Sequence, residues 1–277
     1  MEAAIFSSGV EQIVFAALDV ETTGLNPYLG DRICEIAVLR FRGPDVLEPF
    51  SSLVNPGRHI AQDASAVSGI TDEMVRAAPP FDDVAPHVLR LLEGAVLLAH
   101  NAPFDLAFLA VQLASLGYPQ LTNPVVDTLA LARRCYQYPS NALGDLARAR
   151  SLSGPREHRA AGDAELTRRL FRSFLSDFSA KDACTLGDVL SLQGGNVSIP
   201  SPDQPELPPF LQEAIDEGRK LRIRYRSAED VWTERVVIPL QVNSQAGKTY
   251  LIARCDLRGE ERTFRLDRIE QMLTEPD

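Results

Sequence analysis

The pattern of apolar and polar positions divides the chain into short elements that switch between two periods. Ile13 to Leu18 is a continuous apolar run of the length a buried strand needs. Asn26 to Asp31 carries turn residues. From Arg32 to Phe41 the chain alternates, Ile33, Glu35, Ala37 and Leu39 against Cys34, Ile36 and Val38, which predicts a second strand joined to the first by a hairpin. Leu47 to Val54 predicts a shorter third strand, closed by Asn55-Pro56-Gly57, and Thr71 reads as an N-cap ahead of Asp72-Glu73-Met74. Val84, Val88, Leu91 and Leu92 recur at helical spacing within Asp82 to Leu92, and Ala95 to Ala99 follows as a short apolar run suited to a central strand. Next comes a helix with Leu106, Leu109, Leu113 and Leu116 on one stripe, ended by Gly117. A short strand at Val125-Val126 opens a helix through Arg134, with Asp127 as N-cap or supporting acid. A short helix follows at Asn141 to Ala149, and then a long one with Thr167, Leu170, Phe171, Phe174, Leu175 and Phe178 facing inward.

The period changes again after a break in composition. Ser179 to Pro209 is rich in Pro and Gly, with one short helix at Leu186 to Leu192, and reads as a linker. Beyond it, Pro209 to Glu217 is helical. Leu221 to Arg226, Arg235 to Val242, Thr249 to Arg254 and Arg262 to Leu266 read as strands of a small barrel. At 277 residues there is room for two domains with their own cores, here 1–178 and 209–277 around a linker at 179–208. The first residues lack a basic stretch ahead of an apolar one, and no apolar run approaches the ~20 residues of a membrane span, so the expectation is a cytoplasmic protein with no membrane partner. Cys34, Cys135, Cys184 and Cys255 are scattered without a C-x-x-C pair, which indicates reduced thiols and neither a zinc site nor a disulfide framework. The formal charge of −10 is uneven: from Leu207 onward 13 acids meet 12 bases, so about −9 falls on the first 206 residues. A domain that gathers carboxylates around cations is acidic for that reason, and the bound cations reverse the local field, so the charge does not exclude a phosphate substrate.

Asp19-Val20-Glu21-Thr22-Thr23-Gly24 ends the first apolar run with two carboxylates two residues apart. In a strand, residues i and i+2 share a face, so Asp19 and Glu21 project together while Val20 points back. Two readings stand at this point. Either the pair repels unless a hard cation such as Mg²⁺ or Mn²⁺ neutralises it, or it sits in a solvated turn that Thr22, Thr23 and Gly24 help to make. Asp105 follows Pro103 into the first turn of a helix that leaves the next strand, so it either joins the pair or answers the positive helix end. Asp163 opens the long helix one turn before Thr167, at the edge of its buried face, and His158 lies in the loop just ahead.

Taken in order, Asp19, Glu21, Asp105, His158 and Asp163, within DVETTG, HNAPFD and H-x-x-x-x-D, resemble the three motifs of the DnaQ-like DEDDh 3′-to-5′ exonucleases, the family of the polymerase III epsilon subunit, oligoribonuclease and RNase T. VNPGRHI, SGITDEMV and VVDTLALAR are similar to that family's connecting segments, and the likeness runs from Val14 to Phe178. Ser68 stands where many relatives carry His. The resemblance implies an α/β, RNase H-like mixed sheet with flanking helices. It also implies two Mg²⁺ or Mn²⁺ ions held by Asp19, Glu21, Asp105 and Asp163, with His158 as general base for the attacking water. Thr22 and Thr23 are then expected to bind the terminal nucleotide, and Leu25, His100, Asn101 and Phe104 to stack on or steer the last bases.

The second domain resembles the WYL domain of bacterial regulators, an SH3-like small β-barrel implicated in sensing nucleic acid or nucleotides, through Ala214 to Leu221, Thr249 to Cys255 and Arg262 to Ile269. Its naming tripeptide is here Thr249-Tyr250-Leu251. The likeness makes Tyr250, Arg254, Arg262, Phe264, Arg265 and Arg268 candidates for an anion- or base-binding surface, while Arg222, Arg224 and Arg226 read as the wet face of a strand. The combined expectation is an exonuclease that hydrolyses single-stranded DNA or RNA, DNA favoured, from a free 3′ end to nucleoside monophosphates, with a nucleotide or strand bound at the WYL domain. Its rival is a regulator that keeps the exonuclease fold as a scaffold, and an intact acidic set favours the enzyme.

Overall fold

In the computed structural model the first apolar run continues past its predicted end as β1 (Val14–Thr22), with buried Val20 and Thr22 alternating with the partly exposed Asp19 and Glu21. The structure describes residues 5–152, 159–179, 185–202, 207–227, 230–245, 248–255 and 259–275. These group into two units, one of 1–24, 33–106 and 121–199 and the other of 25–32, 107–120 and 200–277.

In the first unit, β1, β2 (Ile33–Arg42) and β3 (Asp45–Leu53) form an antiparallel meander, as the alternation of Ile33 to Phe41 predicts. Three helices follow, α1 (Gln62–Ser68), α2 (Asp72–Val75) and α3 (Phe81–Leu92), before β4 (Val96–Ala99) pairs in parallel with β1 and β5 (Val125–Asp127) in parallel with β4. The sheet order is β3-β2-β1-β4-β5, which makes β1 central and leaves its carboxyl end beside that of β4. Between β4 and β5 in sequence runs α4 (Ala102–Ser115), of which residues up to 106 belong to this unit, and α5 (Thr128–Cys135), α6 (Leu143–Ala149) and α7 (Ala160–Ser179) are its further helices. The inward stripe of α7, with Leu170, Phe171, Phe174, Leu175 and Phe178, joins Phe15, Ala17, Phe41, Val96 and Leu98 in one core. Burying a side chain of that size is worth about 1.5–3 kcal/mol, so the stripe holds the whole helix, its first turn included, against the sheet.

The predicted linker is shorter than its composition implies. Leu186–Gln193 forms α8, capped by Thr185 and Asp188 and stopped by Gly194 in the left-handed conformation, and Leu186, Val189 and Leu190 enter the first unit's core. Val125 N–H donates to Asn196 Oδ1 at 2.8 Å, and Gln193 Nε2 donates to the Val125 carbonyl at 2.8 Å, which fastens the segment to β5. The first unit therefore continues to residue 199.

The second unit holds α9 (Pro209–Glu217) and an antiparallel sheet of β6 (Leu221–Arg226), β7 (Trp232–Gln245), β8 (Lys248–Cys255), β9 (Glu261–Arg265) and β10 (Ile269–Thr274). Leu211, Ala214, Leu221, Ile223, Val237, Leu251, Ala253, Phe264 and Leu266 form its core. The alternation predicts four of these strands and misses β10, because its apolar residues Ile269, Met272 and Leu273 do not alternate and only Ile269 is buried. The order β10-β6-β7-β8-β9 is that of an open sheet, with no β9–β10 ladder among the described residues, where a small barrel was expected. The described cysteines Cys34, Cys135 and Cys255 form no disulfide with one another, and no described helix is long and apolar enough to cross a membrane.

Candidate active site

Strand alternation sets Asp19 and Glu21 on one face of β1, at the end nearest the helix termini. Asp105 reaches the same end from the first turn of α4, and its Oδ1 accepts the Val20 N–H at 3.0 Å, so it grips the strand between the two carboxylates. Asp163 arrives from the first turn of α7. Small side chains permit that approach: Ala160 and Ala164 of α7 pack on Ala37 of β2. The result is that carboxylate oxygens of Asp19, Glu21 and Asp163 lie within 4.8 Å of one another. Asp105 is 4 % exposed and acts electrostatically on Asp19 from behind this trio.

Such an arrangement is costly without a cation. Burial first, and then Asp105, Asp163, Glu21 and Glu35, push the Asp19 carboxyl well above the usual range. Glu21 is pushed up to about 7 by burial, Asp163 and Glu35, with Arg159 opposing. Asp105 is raised by burial, although the N–H of Val20 favours its charged form. A divalent cation relieves all three effects at once, and an all-carboxylate set of hard oxygens fits Mg²⁺ or Mn²⁺ and not a softer metal.

A fifth carboxylate, absent from the sequence-based site, completes the surroundings. Glu35 sits opposite Glu21 across the β1–β2 ladder and is 2 % exposed. Its charge is matched by Arg159, which donates through Nε at 3.0 Å and through NH2 at 2.6 Å, and by the Ala160 N–H at 3.0 Å. Glu35 thus clamps the start of the helix that carries Asp163. The available signals were a Glu inside a strand of buried residues and an Arg adjoining His158. His158 itself lies outside the described residues.

A cleft of about 320 Å³ opens beside the carboxylates, lined by Asp19, Asp163, His100, Ala142, Leu143, Gly144, Asp145 and Arg148. His100 faces it, but both its ring nitrogens are engaged: Nε2 meets the Asn141 carbonyl at 3.0 Å and Nδ1 meets Thr128 Oγ1 at 2.9 Å. Burial depresses its pKa, so the ring is neutral, with Nε2 donating. Its polar edge is engaged by Asn141, two residues ahead of α6. Asn101 adopts a left-handed conformation at φ 69° and donates its N–H to Asp127 Oδ1 at 2.9 Å, an oxygen that also accepts the Leu129 N–H, so Asp127 is both an N-cap and a support. Phe104 is partly exposed and Leu25 is 84 % exposed. Thr22 and Thr23 are buried; the Thr22 hydroxyl donates to the Gly24 carbonyl at 2.6 Å and the Thr23 carbonyl accepts the Ala61 N–H at 3.0 Å.

The second-unit candidates divide between two faces. Leu251, Ala253 and Cys255 point inward, so Tyr250 and Arg254 share the outer face of β8, and Arg265 is opposite Tyr250. Arg265 is held by Asp267 through bonds of 3.1 and 2.6 Å. Phe264 is 3 % exposed and belongs to the core, which corrects its place among base-stacking candidates. Arg262 is opposite Ala253 in the ladder, and its Nε is buried without a hydrogen-bond partner among the described residues. Arg268 ends the short 3₁₀ turn Leu266–Arg268.

A central strand ending in paired acids, two helix starts that bring further acids to it, and a mixed sheet backed by helices define an α/β protein with a carboxylate cluster that could hold a divalent cation. Residues 16–171 match the family model described as exonuclease (RNase_T), more than half of the chain, and residues 209–273 match the WYL domain. The chain belongs to the exonuclease family. It is 38 % identical over 195 residues to a DNA polymerase III subunit epsilon-like protein of Rhodobacter capsulatus, covering 69 % of this chain and 28 % of that protein. It is 36 % identical over 210 residues to the 3′-5′ exonuclease DinG of Bacillus subtilis, covering 76 % of this chain and 22 % of that protein. The chain therefore spans less than a third of the length of these relatives. Exonuclease X, solved in complex with 5′ overhanging duplex DNA, is similar at 28 % identity and a TM-score of 0.53, covering 66 % of this chain and all of that one. Escherichia coli exonuclease I shares the fold at 18 % identity, with a TM-score of 0.57 over 87 % of this chain and 55 % of that one.

Proposed function

We propose that the protein is a metal-dependent 3′-to-5′ exonuclease that hydrolyses single-stranded nucleic acid, DNA favoured, to nucleoside monophosphates. The observation that carries this reading is the convergence of Asp19, Glu21 and Asp163, with Asp105 locked to the strand between the first two. These four residues are the holders of a pair of Mg²⁺ or Mn²⁺ ions. When bound, such ions neutralise the phosphodiester's oxygens and lower the pKa of water, the chemistry for which four converging carboxylates suit. The chain supplies the rest: the Val20 clamp and the Glu35–Arg159 clamp keep the acids in register, and His158 takes the proton of the attacking water near neutral pH. The preference for DNA rests on the relatives' names and on the DNA bound to exonuclease X. In this reading the second unit binds strand or a nucleotide ligand through Tyr250, Arg254 and Arg268.

The test is degradation of matched, end-labelled single-stranded DNA and RNA with Mg²⁺, with Mn²⁺ and with EDTA. Release of monophosphates from the 3′ end, abolished by EDTA and by Asp163→Asn, is expected. Full activity in Asp163→Asn would remove the assignment, and absence of turnover by wild type with either metal would favour the scaffold reading.

A further inference from the structure

The cleft beside the carboxylates has a second wall with no role in the chemistry described so far. It is built by α6, whose Leu146 and Ala147 are buried, so that Gly144, Asp145 and Arg148, at i, i+1 and i+4, fall on the opposite side and line the cleft. The wall is held in place: Leu146 anchors it in the core, and His100 fixes the Asn141 carbonyl just ahead of the helix. Among the described lining residues Arg148 is the one guanidinium, beside His100, whose ring nitrogens are both engaged, and the acids Asp19, Asp145 and Asp163. At rest its guanidinium bonds the Asp145 carboxylate three residues earlier, with 72 % of the Arg148 side chain exposed.

We propose that Arg148 is a substrate-binding residue of this exonuclease, taking the phosphate adjacent to the scissile linkage. The argument is one of charge and size. A strand whose terminal phosphodiester lies at Asp19 and Asp163 brings its next phosphate along a wall where, among the described lining residues, Arg148 is the guanidinium available to it. In the proposed enzyme the cations held by Asp19 and Asp163 serve the scissile phosphate, and the next one needs its own partner; a guanidinium fork matches phosphate oxygens two at a time. The cleft, about 320 Å³, has the scale of one nucleotide, so the phosphate that meets Arg148 is the neighbouring one and not one farther along. Asp145 stands in for that phosphate while the cleft is empty. Exposed pairs of this spacing are weak, so a phosphate displaces Asp145 readily.

The proposal rests on the exonuclease reading and is tested in the full chain with Mg²⁺ for turnover and with Ca²⁺ for binding. Arg148→Ala is expected to raise KM for a single-stranded oligonucleotide about tenfold with kcat within about twofold, and to lower the slope of log K against log salt by about 0.7, the value for one lost phosphate contact on a single strand. Arg148→Lys should recover part of the affinity, since it restores charge without the fork. A neutral methylphosphonate at the second linkage from the 3′ end should weaken wild type as much as Arg148→Ala does and weaken Arg148→Ala no further, while the same change at the fourth linkage should weaken both equally. The methylphosphonate series in wild type alone keeps the test open if a variant folds poorly. An unchanged KM and salt slope in Arg148→Ala, or equal sensitivity of the two proteins at the second linkage, overturns the proposal. Wild type that fails to degrade any strand overturns the exonuclease reading with it, whereas normal wild-type turnover with an indifferent Arg148 overturns this assignment only.

Discussion

Glu21 shows at the scale of one residue how a site built for cations behaves without them. Its carboxyl is pushed up to about 7 against 4.5 in the unfolded chain, so between these values the native state holds more protons than the unfolded one. Stability of the metal-free protein must then fall as pH rises through that window, and the burden is complete above it. Melting in EDTA from pH 5 to pH 8 should show a falling Tm, a shallower fall in Glu21→Gln, and recovery at pH 8 on adding Mg²⁺, which binds only the folded cluster. A Tm that rises with pH would contradict the arrangement. For the same reason Asp163→Asn, which removes one charge from mutually repelling acids and no core, should melt at or above wild type in EDTA while losing at least about 10²-fold in turnover. His158→Ala is expected to cost about 10²–10⁴ in rate and to remove the acidic limb of the pH–rate profile. An unchanged profile would take the role of base away from His158.

Among the elements, α7 has two anchorages with different consequences. Its apolar stripe is legible from residue spacing, and the helix forms where Leu170 to Phe178 predict. Its first turn is set by Glu35 and Arg159, which were not legible as a pair, since 124 residues separate them and only the fold of β2 under α7 joins them. Arg159→Ala leaves Glu35 buried with the Ala160 N–H as its donor among the described residues, which should cost about 1–3 kcal/mol in chemical denaturation, the exposed part of the guanidinium reducing the upper end. Turnover should fall as well, because Asp163 lies one turn along. A loss of stability with normal kcat would mean that the clamp supports the fold and not the site. The helix α8 forms where the sequence places it, but the composition did not show its packing: Pro and Gly frequency describes how a segment starts and stops, whereas Leu186, Val189 and Leu190 decide what it packs on.

For the molecule as a whole, the charge is divided in keeping with two tasks, an acidic part that gathers carboxylates and a nearly neutral part with Arg254 and Arg268 near the surface of its sheet. If these two contact phosphates, Arg254→Ala and Arg268→Ala should each flatten the salt dependence of binding to a long single strand by about 0.7 in slope. Identical slopes in variants and wild type would leave small-ligand sensing as the use of the second unit.

What the sequence by itself determined follows from short-range chemistry. Alternation placed Asp19 and Glu21 on one face, and helix-start signals placed Asp105 and Asp163 in first turns, because period and capping are local properties of the backbone. The order of those acids was enough to reach the family. What only the tertiary structure decided depends on strands and helices distant in sequence. The parallel pairing of β1 with β4 brings Asp105 to Val20, the ladder of β1 with β2 sets Glu35 against Glu21, and α6 closes a cleft with Arg148 across from the acids. Register and packing select those neighbours, and no local pattern encodes which buried carboxylate meets which guanidinium.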